Sequence, residues 1–134
     1  PGWTTINNKG EKLFYTFSFD NGPDYVEEGL FRIINDEMLM GFADTLGNVV
    51  IQPQFAFVFP FKDGKAEVTY TGAKKAMDDY GEHWTWQSDH WFYTVPAEKV
   101  AEICHVDVDK LIEAARMYAT AKNAAIIYGF KLSC

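Results

Sequence analysis

Only two cysteines, Cys104 and Cys134, occur in the 134 residues, and neither sits in a metal-type spacing. They could pair in an oxidising compartment, but one bridge is no disulfide framework, so the fold must rest on its core. Positive charge is scarce as well: 12 Lys and Arg stand against 19 Asp and Glu, a formal net charge of −7. Nucleic acids and acidic membrane surfaces both require a basic face, so neither is an expected partner. No apolar run approaches the roughly 20 residues of a membrane helix, so no membrane insertion is expected. Gly-rich phosphate cradles are missing, and Ser18, Ser88 and Ser133 have no nucleophile-elbow or triad context. The chain opens on Pro1-Gly2 without an initiator Met or signal-like segment. It therefore reads as a trimmed piece, and its compartment is not written in it.

What is present is aromatic. Phe, Trp and Tyr make up 16% of the chain, which is 48% hydrophobic and 23% charged, so disorder is excluded. A chain of this size buries roughly two-thirds of its unfolded surface, enough for one core. The aromatics concentrate before residue 94, interleaved with turn residues, which favours strands. In residues 41–68 a strand Gly41–Asp44 meets a turn ending at Gly47, and Val49–Ile51 runs into Gln52-Pro53. Phe55–Phe61 then leads to the turn Lys62-Asp63-Gly64 and a strand Ala66–Tyr70. Asp-Gly between apolar runs is a strong hairpin signal because it tolerates positive φ.

The same grammar occurs earlier in the chain. Ile6-Asn7-Asn8-Lys9-Gly10 parallels Ala43-Asp44-Thr45-Leu46-Gly47, and Lys12–Phe19 parallels Val49–Phe59. Glu28-Gly29-Leu30 in turn parallels Asp63-Gly64-Lys65. A third copy starts at Trp91-Phe92-Tyr93-Thr94 and fails at position 97, where Ala97 replaces the turn Gly. Internal repetition of this kind signals stacked supersecondary units.

Residues 5–94 resemble the WG-repeat family. The landmarks are Gly41-Phe42-Ala43-Asp44, Gly47, Val50-Ile51, Pro53, Pro60-Phe61, Gly64 and Ala66, joined by Phe19–Tyr25 and Glu28-Gly29-Leu30. The resemblance implies a β-hairpin array with an interaction role, in the cell envelope or outside it, and no shared catalytic motif.

After Thr94 the pattern becomes helical. Pro96 suits a first helical turn, and Ala97–Cys104 carries Val100, Ile103 and Cys104 at helical spacing. Asp107 is the expected N-cap of a second helix. Its apolar stripe would be Val108, Leu111, Ile112, Ala115, Tyr118 and Ala119, closed by Lys122 and Asn123. Ala124–Tyr128 is expected as a final strand. This tail resembles a segment of the molybdopterin-dependent oxidoreductases at Val100–Ile103, Ala114–Thr120, Ala124–Ile126 and Gly129. The rest of that family's pterin-binding apparatus has no counterpart in the chain, and Cys134 matches no ligand position, so cofactor binding is not implied. Two grammars abutting where a repeat breaks suggest a chimera, natural or engineered.

The expected architecture is α+β: a curved antiparallel sheet of hairpin repeats covered by two C-terminal helices and a short strand. Its parts are residues 1–94 and 95–134, read as one folding unit. Catalytic residues, metal ligands and cofactors are expected to be none. Glu82-His83 and Asp89-His90 read as a polar loop face, His105 as a linker, and Asp20, Asp24, Glu27 and Glu28 as a solvated acidic loop. Trp84, Trp86 and Trp91 form the densest aromatic group. Trp84 and Trp86 alternate on one strand face as core residues do, yet such rings also stack on sugars or anchor a partner. They are the candidate ligand-binding residues. The functional reading is a non-catalytic binding or structural module, with a protein partner or self-association. A molybdopterin oxidoreductase fragment and a carbohydrate-binding module are the alternatives.

Overall fold

A computed structural model describes residues 1–121, which fall into two compact units, one spanning Pro1–Pro96 and one beginning at Ala97. The first unit is built of antiparallel strands and the second of helices, as the α+β expectation requires. The strand expected at Ala124–Tyr128, the helix-closing Lys122 and Asn123, and Cys134 lie outside the described residues.

In chain order the strands are β1 (Trp3–Ile6), β2 (Lys12–Thr16), β3 (Ser18–Phe19), β4 (Gly22–Pro23), β5 (Leu30–Ile34) and β6 (Met40–Asp44). They continue with β7 (Val49–Phe55), β8 (Phe57–Val58), β9 (Ala66–Thr69), β10 (Ala73–Ala76), β11 (Trp84–Gln87) and β12 (Phe92–Thr94). A five-stranded sheet has the order β1-β2-β5-β6-β7, and a three-stranded sheet the order β12-β9-β8. The hairpins β3–β4 and β10–β11 stand apart as two-stranded ribbons.

Four of the connections are the same loop. Asn7, Asn35, Asp44 and Asp78 each accept, on a side-chain oxygen, the backbone N–H four residues on, at 2.8 to 3.0 Å. Each also accepts, on its carbonyl, the N–H three residues on. That third residue has positive φ: Gly10, Met38, Gly47 and Gly81. Short polar side chains that mimic a backbone acceptor explain why Asn and Asp begin these loops. Met38 is the exception among the closing residues, an exposed Cβ-bearing side chain held at φ 63°. Met38→Gly is expected to stabilise the protein by about 1 kcal/mol, because it removes the left-handed strain. Urea unfolding checks this, and a lower midpoint would contradict it.

A second turn recurs as well. Glu28-Gly29 and Asp63-Gly64 both have positive φ at their two central positions, and each is closed by an antiparallel bridge, Glu27 to Leu30 and Lys62 to Lys65. This is the turn whose twist matches paired strands. The two turns also touch, since Gly64 N–H donates to the Glu28 carboxylate at 2.9 Å. The copies read from the sequence are therefore copies in structure. The third copy is visible with its register shifted by one residue: β12 pairs antiparallel with β9, Thr94 opposite Ala66, as β6 pairs with β5, Asp44 opposite Leu30, the counterpart of Lys65. Where the Asn35 loop joins β5 to β6, the hairpin β10–β11 is inserted between β9 and β12.

The core gathers Ile34, Met40, Phe42, Phe55, Phe57, Val58, Phe61, Ala66 and Val68. Burial of each large side chain contributes about 1.5–3 kcal/mol. Gly41 is required by close approach: a Cβ there would lie 2.3 Å from the Ile51 carbonyl oxygen and 2.7 Å from Pro53 N. The register explains the crowding, because Met40 faces Phe55 and Phe42 faces Ile51, so three residues of β7 bulge against Gly41.

The carboxylates of the repeated loop carry a pH signature. Asp44 sits below its ordinary 3.8 because the Asn48 side chain and backbone donate to it, and Asp78 does so chiefly through the His83 ring. A carboxylate depressed on folding stabilises fully above its unfolded pKa, and that contribution is lost as pH falls through the folded value. Stability is thus expected to decline below pH 3.8 at these two loops, while Asn7 and Asn35, whose side chains do not ionise, contribute no such slope. Carboxyl NMR titration reads this directly; an Asp44 titrating at or above 3.8 would contradict it.

In the second unit, α1 (Ala97–Cys104) and α2 (Val108–Thr120) are joined by His105-Val106-Asp107, with His105 at φ 53°. Asp107 caps α2, accepting from Asp109 N at 3.0 Å and Lys110 N at 3.2 Å, as expected. Of the apolar stripe, Val108, Leu111 and Ile112 are half-buried, while Ala115 and Tyr118 are exposed. Among the described residues no helix is long and apolar enough to cross a membrane.

Candidate functional site

The residues that shape the site begin with a charge in the wrong place. Arg32 lies within the apolar strand β5, and its side chain is only 4% exposed. Asp24 neutralises it in a two-pronged contact, accepting Nε at 2.9 Å and Nη2 at 2.5 Å, and the same carboxylate takes the Arg32 backbone N–H at 2.9 Å. Paired forks of this kind are the strong form of ion pair. The Arg32 plane also rests over Phe17 and Phe19, 4.6 and 5.3 Å from their ring centroids. Asp24 is therefore not part of a solvated acidic loop: its side chain is 2% exposed, and it anchors β4 to β5. A charged residue inside the run Leu30–Ile34 was the available signal for this pair.

Phe57 is the hub of the aromatic cluster. Trp86 stacks on it at 5.2 Å with the planes 7° apart, and Trp84, Phe17 and Phe59 meet it edge-on. The base of the β10–β11 hairpin is tied down beside them. The Trp86 indole N–H donates to the Thr71 carbonyl at 2.9 Å, and the Ser88 hydroxyl lies 2.7 Å from the buried Thr69 hydroxyl. Between this inserted hairpin and the β3–β4 hairpin opens a cleft of about 930 Å³. Its floor and one wall are Phe57, Trp84 and Trp86, with Phe19 and Tyr25 opposite.

The structure thus joins Trp84 and Trp86 in one cleft, Trp84 being 37% exposed and Trp86 half-buried. Trp91 does not line that cleft; it packs on the core and against Phe59 at 5.3 Å. Asp20, Glu27 and Glu82 reach the cleft from separate segments. His83 turns to Asp78, at 2.6 Å, and Asp89-His90 has no place in the cleft lining. Phe19, Tyr25 and Phe57 complete the cleft, and they were missed because nothing local in the sequence brings β3, β8 and β11 together.

Repeated hairpins carrying two ribbons build the first unit, and the cleft opens where the ribbons meet Phe57 of the repeat. The repeat itself is recognisable: residues 40–72, from β6 through β9, match the family model of the WG containing repeat. No curated protein and no solved structure matches the chain.

Proposed function

We propose that this chain is a non-catalytic recognition module, in which WG-type hairpins form the scaffold and the ribbons β3–β4 and β10–β11, with Phe57 of β8, form the binding cleft. The observation that carries this reading is Trp84, a large aromatic ring left 37% exposed in an open cleft whose other walls are also aromatic. A fold gains by burying such a ring, and binding sites keep rings of this kind accessible because they supply contact area at low entropic cost. The net charge of −7 speaks against nucleic acid as the ligand. A recombined origin fits the change of pattern at Thr94, which falls close to the division between the units at Pro96.

The test compares stability with binding in one variant. Trp84→Ala is expected to cost only about 1–2 kcal/mol, as a partly exposed substitution should, while removing binding to whichever of a panel of short charged peptides and linear oligosaccharides the native chain retains. Thermal melting and titration calorimetry read the two quantities. Unchanged binding in the variant would refute the reading.

A further inference from the structure

Resting on the recognition reading above, we propose that the cleft takes a cationic side chain, the guanidinium or ammonium of an Arg- or Lys-rich peptide. Four carboxylates, Asp20, Asp24, Glu27 and Glu82, line the cleft against a single fixed cation, Arg32. Asp24 is already matched to Arg32, and Asp20, Glu27 and Glu82 form no ion pair among the described residues. The lining side chains therefore carry an excess of three negative charges, reduced to two by the Lys74 ammonium on the Trp84 ring, set around ring faces that are themselves negative in potential. The two contributions add for a cation and oppose any anion.

The rings of this site already meet positive charge. Arg32 lies over Phe17 and Phe19, and the Lys74 ammonium sits 4.3 Å from the Trp84 centroid. Arg32 with Asp24 is in effect a built example of the pairing that the rest of the cleft offers: a planar cation between aromatic faces and a carboxylate. A neutral sugar is served less well. Its hydroxyls draw nothing from the excess of negative charge, and the Trp86 indole N–H is committed to Thr71.

The test is calorimetric titration of the full chain with three probes: tetra-arginine amide, tetraglutamate and cellotetraose. Tetra-arginine alone is expected to bind, saturably and more weakly as salt rises. Trp84→Ala should weaken it by about tenfold. The triple variant Asp20→Asn, Glu27→Gln, Glu82→Gln, altering exposed side chains only, should also weaken it and flatten the salt dependence, with an unchanged circular dichroism spectrum. Tetra-arginine binding equally well to native chain and Trp84→Ala would mean a diffuse acidic surface and would overturn the proposal. Trp84-dependent binding of cellotetraose or tetraglutamate without tetra-arginine would overturn the cationic ligand and leave the recognition reading standing. Binding of none of the three would remove both.

Discussion

Asp24→Ala is expected to destabilise the first unit by about 3–5 kcal/mol, because it leaves the Arg32 guanidinium buried without its counter-charge. The cost is not the worth of the pair itself, which sets two desolvation penalties against one attraction. It is the penalty of an orphaned cation that is 4% exposed, with only the Val58 carbonyl at 3.4 Å left as a partner besides the aromatic faces. The double variant Asp24→Leu, Arg32→Met should recover most of the loss, since both charges then disappear together. Urea unfolding of the two proteins measures this. A single variant within about 0.5 kcal/mol of the native chain, the range of ordinary surface changes, would show that the pair is solvated and that the β3–β4 ribbon is not anchored as described.

Phe57→Ala should cost a similar amount, about 3–5 kcal/mol, for a different reason. The ring is 6% exposed, and it is the surface on which Trp86 stacks and Trp84 leans. Its removal leaves a cavity and also frees the inserted hairpin from the repeat beneath it. The variant should therefore lose the near-ultraviolet dichroism of the paired indoles along with stability. Loss of stability with that signal intact would mean that Thr71 and Ser88 alone position the hairpin.

The contrast between these two sites and the turns shows what a sequence discloses. The loops at Asn7 and Asp44, and the turns at Glu28-Gly29 and Asp63-Gly64, were legible because each is a local solution: a side-chain acceptor, or two positive φ angles, within five residues. The Asn35 loop was not, because Met38 stands where the pattern calls for Gly and local pairing overrides its preference. Asp24 was misjudged for the opposite reason. Its neighbours Asn21-Gly22-Pro23 are turn-forming, so the segment looked solvated, and only the pairing of Phe17 with Arg32 folds the carboxylate back onto β5.

The tryptophans divide along the same line. Trp84 and Trp86 alternate on a strand, and that spacing cannot distinguish a core face from a cleft wall. The answer depends on β8 lying beneath them and on the β3–β4 ribbon standing across from them. Trp91 was grouped with them by proximity in sequence, but it follows the hairpin and belongs to the repeat, so it packs inward. The repeat is thus readable from the chain, and the cleft, being made of ribbons and a repeat strand that meet through space, is readable only in three dimensions.

The most direct test of the cleft as the recognition surface uses the four indoles of the chain, Trp3, Trp84, Trp86 and Trp91, as internal reporters. Each gives one indole N–H resonance in a nitrogen-15 correlation spectrum, to be followed while a bound probe from the peptide and oligosaccharide panel is titrated. Trp84 and Trp86 should shift together and saturate, while Trp3 on β1 and Trp91, packed against the core, stay fixed. Movement of Trp3 or Trp91 with Trp84 and Trp86 unperturbed would place recognition elsewhere and contradict the account.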